Sequence, residues 1–490
     1  AGQSSGAHML YRNLGPNARG AFAFEEVASA AGVNRTTEVR VDGFSSSWGD
    51  IDLDGDLDLF VTGWVAASGG NRLFENNGDG TFTDITSTAV PDSVEHVRGF
   101  TPRFIDVTGD TYPEILVAAD YGTSVLYLND GSGRFSDVTA ASNTSHETNG
   151  MGATTADFNN DGRVDWYVTS IMNDSTDQDG NKLYLHQGTP DDVPVFSETS
   201  VNAGVDDGGW GWGAAAGDID LDGDVDLLET NGWSGGQWTV ERAYLFLNQA
   251  EGAFFTEEGI PCGIGFDAQG RGVVLWDMDR DGDLDAAFPA IDGDTEIYRN
   301  DRAQRPDASW LNIRLDSVSS DSIAPNGVGA RVAVVAGGRT FYRWVQANSA
   351  YLSQSPIEAH FGLGSADAIE SVRIEWPNGA VRTLTDVAPN TAYTVPSCDA
   401  DTSGDGVATP EDVGAFIDAF LGRERRADLR PDGRHDFFDL VAYLDSYASG
   451  CATIQASMAR SAVPDSPGHA LARPKSTRPD RAERHQPSGG

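Results

Sequence analysis

The segment Asp50-Ile-Asp52-Leu-Asp54-Gly55-Asp56-Leu-Asp58 recurs four more times along this chain. The other copies are Asp106-Val-Thr108-Gly-Asp110-Thr-Tyr-Pro-Glu114, Asp157-Phe-Asn159-Asn-Asp161-Gly162-Arg163-Val-Asp165, Asp218-Ile-Asp220-Leu-Asp222-Gly223-Asp224-Val-Asp226 and Asp277-Met-Asp279-Arg-Asp281-Gly282-Asp283-Leu-Asp285. Oxygen-bearing side chains stand at loop positions 1, 3, 5 and 9, and glycine at 6 in four of the five. Calcium takes six to eight hard oxygen ligands, which a tight loop with alternate acidic side chains largely supplies. Glycine at position 6 lets the backbone adopt a positive φ and turn back toward the ion. One such copy is equally a solvated acidic turn. Five in one register are not, because carboxylates this crowded repel unless a cation sits among them. Each loop is therefore expected to hold one Ca²⁺, with a backbone carbonyl at position 7 (Asp56, Arg163, Asp224, Asp283) as a further ligand.

The composition agrees. Lys and Arg number 33 against 75 Asp and Glu, a formal charge of −42 before any metal binds. Such a surface disfavours nucleic acid and anionic membranes, which need a basic face. With 39% hydrophobic and 9% aromatic residues the chain has enough apolar material for packed cores. Its 490 residues suggest two to four domains. No apolar run reaches the ~18 residues of a spanning helix. The start Ala-Gly-Gln, without Met, fits a secreted chain that has lost its signal peptide, and a segment boundary would look the same.

Each loop sits in a longer repeat. Seven residues before the first Asp stands Gly43, Gly99, Gly150, Gly211 or Gly270. After each loop comes a short apolar run, such as Leu57-Asp-Leu-Phe-Val61. Next come Leu73-Phe74-Glu-Asn76, Leu126-Tyr127-Leu-Asn129, Leu183-Tyr184-Leu and Tyr244-Leu-Phe246-Leu-Asn248. The fourth element is Phe82-Thr-Asp-Ile-Thr86, Phe135-Ser-Asp-Val-Thr139 or Phe196-Ser-Glu-Thr. Alternating aromatic and β-branched positions bounded by Gly, Asn and Asp are strand and turn signals. Four short strands per repeat describe a propeller blade, and each unit is too small to bury a core alone. Leu10-Tyr11-Arg-Asn13 with Phe24-Glu-Glu-Val27 match third and fourth strands, and Ile297-Tyr298-Arg-Asn300 a third strand. Pairing these two ends in one sheet is expected to close the ring. Five blades are metal-marked, with up to seven left open. These motifs resemble the FG-GAP/VCBS repeats of integrin α-chain propellers, over about residues 8–300. The resemblance implies Ca²⁺ on the rim, bound at the positions above. Copy two departs from the pattern at Thr111 and Glu114.

Beyond Asp301–Pro306 the sequence changes character. Trp310-Leu-Asn-Ile-Arg-Leu315, Asn326-Gly-Val-Gly-Ala-Arg331-Val-Ala-Val-Val335, His360-Phe-Gly-Leu-Gly364 and Val372-Arg-Ile-Glu-Trp376-Pro-Asn-Gly379 follow in turn. This segment resembles the ASPIC/UnbV domain over about residues 308–396, a β-sandwich-like unit by that resemblance. A propeller joined to it resembles the cartilage acidic protein family, which fixes architecture rather than activity. His360 and Arg331 are read as structural, since neither has a nucleophile–base pair beside it.

Residues 398–451 hold two loops of EF-hand spacing. The first is Asp401-Thr-Ser403-Gly-Asp405-Gly406-Val407-Ala-Thr409-Pro-Glu-Asp412, the second Asp428-Leu-Arg430-Pro-Asp432-Gly433-Arg434-His-Asp436-Phe-Phe-Asp439. Positions 1, 3, 5, 9 and 12 offer side chains and position 7, Val407 or Arg434, a carbonyl. An apolar-spaced helix follows each loop. The duplication and the ending Gly450-Cys451 resemble a dockerin, which implies one or two Ca²⁺ sites and a cohesin-like partner. Arg430 in a ligand position weakens the second site. A module this small needs a staple or a metal, so Cys398 and Cys451 are expected to be disulfide-bonded. Cys262 is expected to be buried, and 452–490 an unstructured basic tail.

The residue after each recurrent glycine is Phe44, Phe100, Met151, Trp212 or Arg271, with Trp210 adjacent. If the strand leading to the loop is innermost, these six either line a central channel for a glycan or peptide or pack the hub. Two function classes compete. One is a secreted or surface-attached calcium-binding protein for adhesion or carbohydrate binding, with no catalytic residues. The other is a polysaccharide lyase or glycoside hydrolase, which needs a base beside bound metal or two spaced carboxylates.

Overall fold

The computed structural model describes residues 8–16, 20–34, 43–64, 70–173, 178–235, 238–239, 241–291, 293–318, 320–348 and 350–458. The chain is mainly β, built of antiparallel sheets with few helices. Each sequence repeat forms one sheet, its strands paired in chain order. Sheet 1 contains Ser46–Gly49, Asp58–Val61, Arg72–Asn76 and Phe82–Asp84. Sheet 2 contains Arg98–Ile105, Glu114–Asp120, Val125–Asn129 and Phe135–Asp137. Sheet 3 contains Ala153–Ala156, Asp165–Val168, Lys182–Gly188 and Val195–Glu198. Sheet 4 contains Gly211–Gly217, Asp226–Asn231, Tyr244–Asn248 and Phe255–Glu257. Sheet 5 has three strands, Val274–Trp276, Asp285–Phe288 and Glu296–Tyr298. The first strands lie side by side in this order. Apolar clusters between successive sheets form the core, such as Phe60, Leu73, Phe104, Ile115 and Tyr127 between sheets 1 and 2. No sheet could bury that face alone.

Among the described residues the expected pairing of the chain's two ends is not made. Tyr11–Pro16 and Phe22–Glu26 form their own two-stranded sheet, and Glu296–Tyr298 pairs only with Asp285–Phe288. The hairpin is held elsewhere, because Leu10, Ala28, Ala31 and Val33 pack on Leu59 and Phe74 of sheet 1. Cys262, expected to be buried, is exposed. It lies in the turn after Phe255–Glu257, where sheet 5 has no fourth strand to cover it.

Residues 309–396, joined by Gln455–Met458, build two four-stranded sheets around one core. One is ordered Ala359–Gly364, Ser309–Asp316, Thr391–Pro396 and Gln455–Met458, the other Arg339–Trp344, Arg331–Ala336, Ile369–Glu375 and Val381–Leu384. Alternate residues Leu311, Ile313, Leu315, Val332, Val334, Val372 and Ile374 fill the space between them. The strand Gln455–Met458 corrects the reading of everything after Cys451 as unstructured. It pairs antiparallel with Thr391–Thr394 and covers what would be a bare sheet edge. The remainder of the expected tail lies outside the described residues.

Between strands Thr391–Pro396 and Gln455–Met458 in the chain, helices Pro410–Gly422 and Phe437–Ser449 each start at a capping box, Thr409 with Asp412 and Asp436 with Asp439. Their core is Phe416 stacked on Tyr443 at 3.9 Å, with Ala400, Ala427 and Leu429. The disulfide Cys398–Cys451 closes the segment, its Cα atoms 5.3 Å apart. Cys398→Ser is expected to destabilise these helices by about 2–4 kcal/mol, because the bridge limits an unfolded loop of over fifty residues. Limited proteolysis should then cut the helices while the sheets stay intact.

Candidate metal centres at the domain joint

In each repeat the first strand runs straight into the acidic loop and the second strand carries the chain back. The loop is tied by its own carboxylates. The position-1 carboxylate accepts the backbone N–H groups of positions 5 and 6: Asp54 and Gly55 donate to Asp50 at 3.1 and 3.0 Å, Asp222 and Gly223 to Asp218 at 3.1 and 2.9 Å. Asp106, Asp157 and Asp277 do the same. The position-9 carboxylate accepts the N–H of position 2, as Asp58 does from Ile51 at 2.9 Å and Glu114 from Val107 at 2.7 Å. These bonds require positive φ at position 4 as well as 6: Leu53, Asn160, Leu221 and Arg280 lie at 62°, 54°, 60° and 64°. Sequence reasoning anticipated only position 6.

In three loops this brings three carboxylates together. Asp50, Asp52 and Asp58 place oxygens within 4.8 Å of one another, as do Asp218, Asp220 and Asp226, and Asp277, Asp279 and Asp285. In copies two and three, position 3 is Thr108 and Asn159, leaving two acidic corners with a neutral oxygen between. Positions 5 and 7 stand further out. Asp54, Asp161, Asp222 and Asp281 cap the N–H of position 7, as does Asp110 for Tyr112. The Arg163 guanidinium, whose backbone was the expected ligand, is paired with Asp161 at 2.5 Å.

Burial sets the electrostatics. It pushes the Asp58 carboxyl up to about 9 and Asp218 to about 8, and raises Asp50, Glu114, Asp165 and Asp226 well above the carboxylate range. Neighbouring aspartates add to the rise in each case. Burial likewise lifts Asp54, Asp106, Asp157, Asp222 and Asp277 to about 6 and Asp283 to about 7. Carboxylate oxygens on Glu114, Asp220 and Asp283 are buried without a hydrogen-bond partner. A divalent ion among them would supply the missing interaction, and an all-oxygen donor set suits a hard cation. The residues therefore fit a metal of the calcium class.

The two-helix segment repeats this design at its loops. Asp401 accepts Gly404, Asp405 and Gly406, and Asp412 accepts Ser403 at 2.7 Å and Thr409 at 2.8 Å. Asp428 accepts Gly433, Asp432 accepts Arg434 and Asp439 accepts Arg430 and Asp436. Here too a buried oxygen, on Asp428, lacks a partner.

Two features were not drawn from the sequence. The first is the asparagine of the third strand. Asn129 Nδ2 donates to Pro113 O of its own loop and to Ile51 O of the preceding one, at 3.1 and 2.8 Å. Asn248 joins Val225 O to Phe158 O and Asn300 joins Leu284 O to Ile219 O. These side chains staple neighbouring loops; the signal was present as the recurrent L-Y-x-N, and sheet 3 lacks it at His186. The second is that the loops are covered. A Cβ at position 6 would meet Asp321 O at Gly55, the Tyr342 ring at Gly162, Phe341 at Gly223 and Trp310 at Gly282. In copy two the Thr111 hydroxyl instead accepts Arg425 at 2.7 Å, and that guanidinium lies 4.4 Å from the Tyr112 ring. His360 Nε2 bonds Gly282 O at 2.8 Å, which accords with its structural reading. All five loops thus face residues from beyond position 303.

The six candidate channel residues are brought together, around a segment from the second unit. Phe100, Met151 and Trp212 are buried with Tyr351, and Phe44 and Trp210 pack against them. Tyr351 stacks on Trp212 at 5.4 Å and meets Phe100 edge-on at 5.7 Å. Arg271 sits 3.9 Å over the Trp212 ring and donates to Gly232 O and Gly270 O. Tyr351 thus occupies the inner edge of the sheets at this level, with Phe44, Phe100, Met151, Trp210 and Trp212 packed around it.

Residues 50–117 and 106–168 match the FG-GAP-like repeat, and residues 321–402 match ASPIC and UnbV. FG-GAP-like repeats and an ASPIC and UnbV segment are both present. The chain is similar to cartilage acidic protein 1 of Homo sapiens, 27% identical over 393 residues, covering 76% of this chain and 48% of that protein. The Mus musculus protein is 26% identical over 393 residues (76% and 49%), that of Xenopus tropicalis 24% over 391 (76% and 48%). The chain spans about half the length of these relatives. Among solved structures, the V. cholerae biofilm matrix protein Bap1 aligns with a TM-score of 0.30 at 10% identity, over 77% of this chain and 63% of that one. That likeness is too slight to bear on the fold. No helix among the described residues is long and apolar enough to cross a membrane.

Proposed function

We propose that this chain is an extracellular calcium-binding protein that works by binding a partner, its five sheets being the metal-marked blades of a propeller. The observation that carries this reading is the three carboxylate triads within 4.8 Å, each in a loop of one design. The buried orphan oxygens and strongly raised carboxyl groups support it, since such loops are poorly stable without a cation. The disulfide supports an oxidising compartment, and extracellular calcium keeps weak sites loaded. The two-helix segment, with its paired loops, serves as a dockerin-like attachment module for a cohesin-like protein. Its exposed Ile417, Leu421, Phe437, Phe438 and Leu444 offer apolar contact for such a partner. Calorimetric titration with Ca²⁺ and Mg²⁺ tests the metal reading. Several calcium sites are expected in the intact chain, with those of loops 1, 4 and 5 lost in Asp58→Asn, Asp226→Asn and Asp285→Asn. Absence of calcium binding, or release of products from a polysaccharide, would overturn it.

A further inference from the structure

The end of the sheets opposite the acidic loops carries a second arrangement that the metal chemistry does not explain. In each repeat the chain enters the first strand at the recurrent glycine, travels to the acidic loop, and returns on the second strand. Residues just past that second strand, such as Trp64 and Tyr121, therefore gather at the far end. There the Arg98 guanidinium lies 5.1 Å from the Trp64 ring centroid and 5.5 Å from that of Tyr121. Trp64 Nε1 donates to Asp120 Oδ2 at 2.9 Å, and Asn149 Nδ2 donates to Asp120 Oδ1 at 2.7 Å. Trp233 stacks on Trp210 at 4.9 Å with planes 11° apart. Leu352, just past the buried Tyr351, is 53% exposed.

We propose that this face binds a neutral glycan, a proposal that rests on reading the chain as a binding protein. Three observations point to that class. Tyr121 and Trp233 are 64% and 39% exposed, so two aromatic ring faces are open to a ligand. Tyr121 lies beside hydrogen-bonding groups held in place by their neighbours, since Asp120 Oδ1 accepts from both Asn149 Nδ2 and the Tyr121 backbone N–H. Flat apolar rings beside fixed carboxylate and amide groups match an alternation of C–H faces and hydroxyl edges. Charge argues for neutrality. Arg98 and Asp120 balance locally, while a chain of −42 repels a polyanion at long range. A protein partner fits less well, since a stable interface takes about 800 Å² of continuous surface per side. Here the exposed apolar groups are separate rings with polar atoms between them.

The test uses the full chain in calcium, probed with immobilised cellohexaose, xylohexaose, mannohexaose and chitohexaose. Saturable binding to at least one is expected, with a loss of tenfold or more in Tyr121→Ala and in Trp233→Ala. Tyr121 is largely exposed, so Tyr121→Ala should melt at the wild-type temperature, and the midpoint of Trp233→Ala, whose ring stacks on Trp210, is read beside its binding; the pair separates lost binding from lost fold. Tyr121→Phe should retain most of the binding, because the ring face is kept. A chain that is stabilised by calcium yet binds none of the four sugars would overturn the glycan assignment and leave the calcium reading standing. Capture of a protein through the same two residues, with no sugar bound, would overturn it equally.

Discussion

Excess EGTA is expected to lower the thermal midpoint by about 10 °C relative to millimolar calcium. Extracellular modules bind calcium with Kd of about 10⁻⁴ to 10⁻³ M. At ten times Kd, a ligand specific to the folded state adds about 1.4 kcal/mol per site. The three acidic triads then contribute about 4 kcal/mol, and all five loops about 7. The pH arm has a definite sign. Asp58 has its ordinary value at 3.8 in the unfolded chain and about 9 in the metal-free fold, because burial favours the neutral acid. The unfolded chain therefore gives up its proton first as pH rises. Stability from this group is fully present below about 4 and is lost as pH climbs toward about 9. Asp218, raised to about 8, acts in the same direction over a slightly narrower window. A bound cation replaces the proton and removes the penalty. The gap between the calcium and EGTA melting curves should therefore widen from about pH 5 to about pH 8. Scanning calorimetry at both pH values decides the matter; superimposable curves would remove the basis for the metal reading.

The repeat loops were legible because their constraints are local. Carboxylates at alternate positions and a glycine at 6 close on their own backbone, so Asp50, Asp218 and Asp277 could be placed by spacing alone. Strand order within each sheet follows from the same proximity. What the sequence did not disclose depends on partners far along the chain. The staple from Asn129 to Ile51 joins residues of different repeats, and only the first half of that signal, the recurrence of the asparagine, is visible in one dimension. The glycines at position 6 serve a second purpose, close approach by Asp321, Tyr342, Phe341 and Trp310, which no local rule demands. The expected pairing of the chain's ends failed for the same reason: strands Tyr11–Pro16 and Phe22–Glu26 satisfy each other's hydrogen bonds, and the flanking Leu10 packs on sheet 1 instead. Cys262 was misjudged because a cysteine's usual burial presumes a neighbouring strand that sheet 5 lacks.

Tyr351→Ala should cost about 3–5 kcal/mol, the usual cost of truncating a buried aromatic side chain. Its ring fills the inner edge of the sheets at 3% exposure, between Trp212 and Phe100. It is also the centre of a strap that crosses from one end of the arc of sheets to the other. Ala347–Asn348 pair with Ser47–Trp48 as an extra strand on sheet 1, and Asn348 both accepts from Phe104 N and donates to Phe104 O at 3.0 Å. Arg103 donates to Gln346 at 2.7 Å. On the far side the Ser353 hydroxyl accepts Val273 N at 3.0 Å and donates to Val273 O at 2.9 Å, and Ser355 accepts Leu275 N at 3.1 Å. The strap thereby spans sheets 1, 2 and 5, doing the joining that the chain's ends do not do. Tyr351 and Leu352 hold left-handed φ of 61° and 53°, a strain of about 1–3 kcal/mol each that only surrounding contacts sustain. A distinctive ordering follows. Tyr351→Gly should be less damaging than Tyr351→Ala by about 1 kcal/mol, because glycine relieves the positive φ that alanine keeps. Leu352→Ala, at an exposed position, should stay within about 0.5 kcal/mol of wild type. Calorimetry of Tyr351→Ala should also resolve two transitions, one for the repeat sheets and one for the sandwich, where the intact strap gives one. A wild-type midpoint in Tyr351→Ala, or glycine worse than alanine, would mean that the strap follows the assembly of the sheets instead of holding it.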